Sequence, residues 1–276
     1  MEHQSDVLDN SILDFEFDLK DKGSKRKAFV LRIGSIILFL IIWYVLSILV
    51  DKARVLPSPF LVGKKLFSLI LGKSVFGLSY VHLGVTLYRL FAGFIGGFVV
   101  GSILGILMGR LPRIYDLLEN VAWIFICVPA VIWSFILLII FGPSNITAMA
   151  VSFALITPKV MLNVAAGTKS FPDDLLEMAH SYNASPLMKA RDMYIPFLLP
   201  YFLSSARIGL STGLQIVIVA ELVGINSGIG YMIDYWWREF FLGPIIAWGM
   251  FLVITGVIVE FAVFRNLEKR TQKWNV

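Results

Sequence analysis

The sequence predicts an all-α integral membrane protein of six spans, on three observations. Of 276 residues, 58% are hydrophobic and 16% charged, with a mean hydropathy of +0.80; this is too apolar for a soluble domain of that length. Apolar runs of about 20 residues, long enough to cross the hydrocarbon of a bilayer, recur between short polar breaks. With alternate breaks assigned to opposite sides, Lys and Arg favour one side by fifteen to six, five of the six standing in residues 52–73, in line with the positive-inside rule.

The elements follow in chain order. Residues 1–28 read as a cytoplasmic tail and 29–276 as one transmembrane domain. Residues 1–19 hold six acidic side chains and no Lys or Arg. That stretch reads as a mobile tail, with a short docking segment around Phe15, Phe17 and Leu19 as the alternative. Lys20, Lys22, Lys25, Arg26, Lys27 and Arg32 precede the first span, Ile33 to Val50. That run is longer than a signal-peptide core and lacks a small-residue cleavage site, so it is expected to be retained. Ser58 and Pro59 then cap and open an amphipathic helix to about Leu71, whose Lys64-Lys65 pair beside Phe60, Phe67 and Leu69 suits a membrane surface. Gly72-Lys73-Ser74 ends like a phosphate-binding loop, but Phe67 stands where that loop needs glycine.

The second span, Leu83 to Gly109, carries Gly93, Gly97, Gly101, Gly105 and Gly109, a glycine at every fourth position. On a helix these make one groove of small residues that admits another helix closely. The third span, Leu117 to Phe141, contains Pro129, which is expected to kink it. The fourth runs from Ile146 to Ala166 with Pro158, Lys159 and Asn163 in its inner half. The fifth runs from Tyr201 to Gly224, and the sixth from Ile245 to Phe264. Gly228-Ile229-Gly230-Tyr231 and the ring cluster Tyr235-Trp236-Trp237 separate those two, the rings suiting a membrane interface.

With the N-terminus inside, fifteen Lys and Arg fall on the inner side and six on the outer, while Arg89, Lys159 and Arg207 lie within spans. This arrangement puts residues 170–200 in the cytoplasm. An intramembrane charge costs about 2.5–3.5 kcal/mol at a helix centre on insertion scales, so each one calls for a partner. By depth Arg89 matches Glu221 and Arg207 matches Glu260, which suggests two ion pairs between helices, structural in the first instance. The single cysteine, Cys127, and three scattered histidines leave no metal site and no catalytic cluster to build. The net charge of +5 is explained by basic residues beside spans, so no nucleic-acid partner is implied.

Residues 170–200 are the longest polar interruption after residue 80, and they read as two short helices. Pro172 with Asp173-Asp174 starts the first, Ser185-Pro186 starts the second, and Tyr182-Asn183-Ala184 is the hinge. Glu177-Met178-Ala179, then Asn183, then Met193-Tyr194-Ile195-Pro196 fall at the spacing of a known signature: Glu-Ala-Ala, three residues, Gly, nine residues, Ile-x-Leu-Pro. The stretch therefore resembles the cytoplasmic coupling loop of bacterial ABC importer permeases. Met178, Asn183, Ile195 and Met193 depart from its letters. Asn183 keeps the bend available, because Asn after Gly most readily enters the left-handed region.

The resemblance spans about residues 56–274. Leu56-Pro57-Ser58-Pro59, Thr86-Leu87-Tyr88-Arg89 with the glycine ladder, Val128-Pro129, Ala220-Glu221-Leu222, Gly228-Ile229-Gly230-Tyr231 and Glu268-Lys269-Arg270 with Trp274 are similar to the nitrate, sulfonate and taurine branch. It implies a six-helix type I ABC importer transmembrane domain with cytoplasmic coupling helices, in a bacterial inner membrane, with both termini cytoplasmic. It also implies two cytoplasmic ATPases that hold the ATP and Mg, a second permease subunit, either an identical copy or a different permease, and an external solute-binding protein. Glu177, Ala179, Asn183, Ile195 and Pro196 would form the ATPase contact. The solute would be a small one such as a sulfonate or nitrate, with a pyrimidine vitamin precursor as the alternative. Arg89 suits an anion path and equally a packing role. A secondary transporter would show repeated halves or a charged relay, and an intramembrane enzyme would show a nucleophile with its base; neither pattern is present.

Overall fold

The computed structural model describes residues 29–271, apart from the side chains of residues 180, 190 and 262–271. The acidic tail with its docking alternative, and Lys273 and Trp274, lie outside the described residues. The chain divides into two units, Met1–Gly63 and Lys64–Val276. In the first, helix α1 (Phe29–Val50) is a single apolar span of 22 residues. Phe39 and Trp43 approach within 6.2 Å on it, and the Trp43 indole donates to the Pro57 carbonyl at 3.0 Å. Helix α2 (Pro59–Ile70) opens on Pro59, and Ser58 Oγ caps it by accepting from the Leu61 amide at 3.3 Å.

After α2, whose residues from Lys64 on belong to the second unit, comes a feature that hydrophobic patterning does not show. Lys73–Ser74 (β1) and Gly77–Leu78 (β2) pair antiparallel, Lys73 with Leu78 and Ser74 with Gly77. Strands of two residues have no periodicity to detect. The hairpin leads into α3 (Ser79–Arg110), which packs along α6 (Asn145–Lys169) through the glycine ladder. Gly93, Gly97, Gly101, Gly105 and Gly109 face Ser152, Ile156, Val160, Val164 and Thr168 in one parallel register. A β-carbon would lie 2.5 Å from the Ser152 Cβ at Gly93, 2.7 Å from the Thr157 carbonyl oxygen at Gly101 and 2.6 Å from the Met161 oxygen at Gly105. Hydrogen at these positions therefore sets how near the helices come, with contact made by van der Waals packing.

Between α3 and α6 the expected kinked span is two helices. Helix α4 (Pro112–Cys127) and helix α5 (Ala130–Phe141) meet at 96°. Proline bars its predecessor from helical geometry, and Val128 is extended (φ −74°, ψ 123°) while Pro129 becomes the first cap of α5. The Trp133 indole stacks on Phe125 at 4.5 Å and donates to the Phe125 carbonyl at 3.4 Å, occupying one of the acceptors the break releases. Among the described residues there are thus five single helices long and apolar enough to span, plus this bent pair, which brings the number to six if it counts as one.

After α6 come α7 (Asp173–Ser181) and α8 (Pro186–Met188). A π-helical turn, Lys189–Tyr194, joins α8 to α9 (Ile195–Gly224) without a break. The fifth span was expected to begin near Tyr201. The helix instead starts at Pro186 and passes through the wider turn into the segment that holds Pro196 and Pro200. Helix α9 runs antiparallel to α6 and packs on it and on α3. Helix α10 (Ile229–Arg238) and helix α11 (Leu242–Thr271) complete the chain.

Candidate functional site

At the end of the bundle remote from residues 170–200, α3, α6, α9 and α10 converge on a buried polar knot. Arg89 and Glu221 are each 1% exposed. Arg89 Nη1 donates to Glu221 Oε1 at 2.7 Å and to the Ser227 carbonyl at 2.7 Å. Its Nη2 donates to Ser227 Oγ at 2.6 Å and its Nε to Asn145 Oδ1 at 2.9 Å. The Thr86 hydroxyl lies 3.0 Å from both oxygens of Glu221, and the Gly230 amide donates to Oε2 at 2.9 Å. Thr86 Oγ1 in turn accepts from the Ile229 amide at 2.9 Å. Two amides that α10 leaves unpaired in its first turn are therefore capped by side chains from α3 and α9, with a carboxylate at the positive end of the helix.

The local sequence explains the fit. Gly228 has φ +105°, and a β-carbon there would overlap the Glu221 carboxyl group; at Gly230 it would lie 2.5 Å from the Ile218 carbonyl oxygen. The Gly228 amide donates to His82 Nδ1 at 3.4 Å, which leaves the proton on Nε2, facing the Phe76 carbonyl at 3.3 Å. His82 also packs against Trp248 and Tyr231. Sequence reasoning paired Arg89 with Glu221 by depth. It missed Asn145 and Ser227, and it quoted Thr86 and the two glycines only as motif letters.

Arg207 and Glu260 also meet, Nε to Oε1 at 2.7 Å, but their side chains remain 49% and 40% exposed. The two pairs thus differ in kind. The first is enclosed and holds four elements together; the second is open to whatever surrounds the bundle.

At the other end, residues 170–200 are held from several sides. Phe171 stacks on Tyr194 at 4.3 Å, and the Arg110 guanidinium lies 3.9 Å from the centre of the Tyr194 ring. Lys169 lies over Tyr115 at 3.0 Å, and Ser170 and Tyr201 share a hydrogen bond of 2.9 Å. Asp173 and Asp174 stand in the first turn of α7. The bend has Asn183 at φ +49°, the Ala184 amide donates to the Ala179 carbonyl at 2.9 Å, and Ser185 Oγ accepts from the Met188 amide at 3.2 Å. Ala179 is buried, while Glu177, Asn183, Ile195 and Pro196 are exposed. So are Met178, Tyr182, Leu187 and Met188, apolar side chains on a segment otherwise polar.

The described helices thus form a bundle of membrane-spanning length, knotted at one end and presenting an exposed, braced helix pair at the other. Residues 97–273 match the family described as binding-protein-dependent transport system inner membrane component. The chain is 26% identical over 261 residues to the taurine transport system permease protein TauC of Escherichia coli, covering 93% of this chain and 94% of that one. It is 27% identical over 218 residues to the nitrate import permease protein NrtB of Synechococcus elongatus, covering 77% and 78%. In fold it is similar to a chain of the inward-facing MetNI methionine ABC transporter, with a TM-score of 0.62 at 19% identity over 69% of this chain and 94% of that one. The chain belongs to the binding-protein-dependent transport system inner membrane component family, as an ABC importer permease with the type I transmembrane fold.

Proposed function

We propose that this chain is the membrane subunit of an ATP-driven importer of a small oxyanion, and that residues 170–200 receive the ATPase. The observation that carries the reading is continuity. Pro186–Gly224 is one helix of 39 residues, roughly 60 Å at 1.5 Å per residue. One end lies beside the exposed Met178, Tyr182 and Leu187, and the other holds Glu221 in the polar knot. Exposed apolar side chains on a polar segment fit a protein partner. A push on α7 and α8 would travel along α9 as a rigid lever and shift it against α6, opening one end of the bundle as the other closes.

The positive-inside count supports placing this segment and both termini in the cytoplasm, and the family's description as an inner membrane component supports a bacterial inner membrane. In this reading two ATPase subunits bind ATP and Mg and act on two copies of the permease, while an external binding protein delivers the solute. The relatives named for taurine and nitrate support an oxyanion, since a sulfonate and a nitrate both present negatively charged oxygens. Uptake of radiolabelled taurine, nitrate or an alkanesulfonate into proteoliposomes holding the complex tests this: the account expects accumulation only with ATP and the binding protein. Transport by the chain alone would overturn it.

A further inference from the structure

The faces that the spanning helices leave exposed are not alike. On α3 the exposed positions from 92 to 107 are Ala92, Ile95, Val99, Ile103 and Leu107. On α11 every exposed position from Met250 to Phe261 is apolar. Both faces suit lipid. On α9 the exposed positions between Tyr201 and Gly224 are Ser204, Arg207, Ile208, Ser211 and Gln215, so four of five are polar. Their spacing places them on one side of the helix, a stripe along the span.

Within this stripe Arg207 is neutralised by Glu260 of α11 at 2.7 Å. Beside it stands α6, which packs on α9. Its Asn163 Nδ2 donates to Ser205 Oγ at 2.8 Å and to the Tyr201 carbonyl at 3.3 Å. Lys159 lies one turn before Asn163, and because α6 and α9 are antiparallel it stands opposite the 205–212 stretch of α9. Lys159 is partly exposed and makes no hydrogen bond or ion pair among the described residues. Ionisable groups inside a membrane face a bundle interior or a water-filled cavity, not lipid.

We propose that the exposed face of α9, with Lys159 beside it, lines the water-filled solute path, and that Lys159 together with Ser204, Ser211 and Gln215 selects an anion. Arg89 is enclosed and engaged by Glu221, Asn145 and Ser227, so it cannot meet a solute. Lys159 is then the one cation without a counter-charge in the span interiors of the described residues. The inference rests on the import reading above and adds the residues and charge of the path.

The test uses the whole complex in membranes, with Cys127→Ser as background. Single cysteines at Ser204, Ser211 and Gln215, and at Val99 and Ile103 as lipid-facing references, are modified with an anionic (sulfonatoethyl) and a cationic (trimethylammonioethyl) methanethiosulfonate. The α9 positions should react about tenfold or more faster than the references, as expected of water against lipid. The anionic reagent should gain over the cationic one on α9, and Lys159→Gln should remove that gain, a change of about fivefold expected from one charge nearby. Rates on α9 as slow as at Val99, or no anionic preference with Lys159 intact, would overturn the proposal. A Lys159→Gln protein that keeps the preference would overturn the role of Lys159. ATP hydrolysis by the same preparation reports separately on the import reading: slow labelling in a complex with intact hydrolysis defeats only the path.

Discussion

Gly228 stands against the carboxylate of Glu221 so closely that a β-carbon on residue 228 would overlap it. The backbone there also has φ +105°, outside what other residues readily adopt. The buried pair, its helix cap and the turn into α10 therefore depend on one another. Gly228→Ala should destabilise the protein by about 2–4 kcal/mol, from backbone strain and a displaced buried carboxylate. A thermal melt of the detergent-solubilised protein checks it, and a midpoint equal to wild type would count against the packing described.

The Arg89–Glu221 pair is not symmetric, because Arg89 also donates to the Ser227 carbonyl and Glu221 also accepts from the Gly230 amide. Exchanging the two charges would aim a carboxylate at a carbonyl oxygen and a guanidinium at an amide hydrogen. Charge exchange is therefore expected not to rescue the single variants. Arg89→Met alone strands a buried carboxylate and should cost about 3–5 kcal/mol. Adding Glu221→Gln should recover part of that loss, since Thr86 and Gly230 still find an acceptor. A double-mutant cycle on thermal stability measures the coupling; strict additivity would refute it.

The glycine ladder gives a graded series. Gly97→Ala meets Ile156 at 3.2 Å and is expected to be tolerated, whereas Gly105→Ala meets the Met161 carbonyl at 2.6 Å and must push α3 from α6. Gly84→Ala, with nothing within 4 Å, is the control. Stability should fall in the order Gly84→Ala, Gly97→Ala, Gly105→Ala, the last by about 1–3 kcal/mol as in overpacked cores. Equal effects at all three sites would mean the ladder does not set the helix spacing.

Asn183 occupies the left-handed region at the bend between α7 and α8. Asn183→Gly should leave ATPase recovery on a tagged chain unchanged, and Asn183→Val should lower it, the strain of a branched residue there being about 1–2 kcal/mol. Recovery unchanged by valine would show that the bend does not shape the contact.

Much of this architecture was legible in the chain because lipid imposes strong rules. Apolar runs marked the spans, Gly93 to Gly109 marked a packing face, and depth alone matched Arg89 with Glu221 and Arg207 with Glu260. The break at Pro129 was not legible as a right-angle turn, since a proline in an apolar run looks the same whether its helix bends or stops. The hairpin at 73–78 is too short for any pattern. Thr86, Asn145 and Ser227 come from three separate places and acquire a role only when the fold gathers them around Arg89. The polar stripe of Ser204, Ser211 and Gln215 is written in the sequence too, but whether it faced a neighbour or the outside depended on how α3, α6 and α11 surround α9.

The central claim is that residues 170–200 transmit ATP hydrolysis to α9, and ATPase activity recovered with the tagged chain tests it most directly, comparing wild type with Glu177→Lys. Glu177 is exposed on α7, so the substitution leaves the bundle intact while reversing one charge of the contact. The account predicts an ATPase that purifies with the wild-type chain, and at least about a tenfold loss of recovered activity in the variant, in keeping with like-charge juxtaposition at an interface. A chain that purifies alone and transports without ATP, or a Glu177→Lys complex as active as wild type, would contradict it.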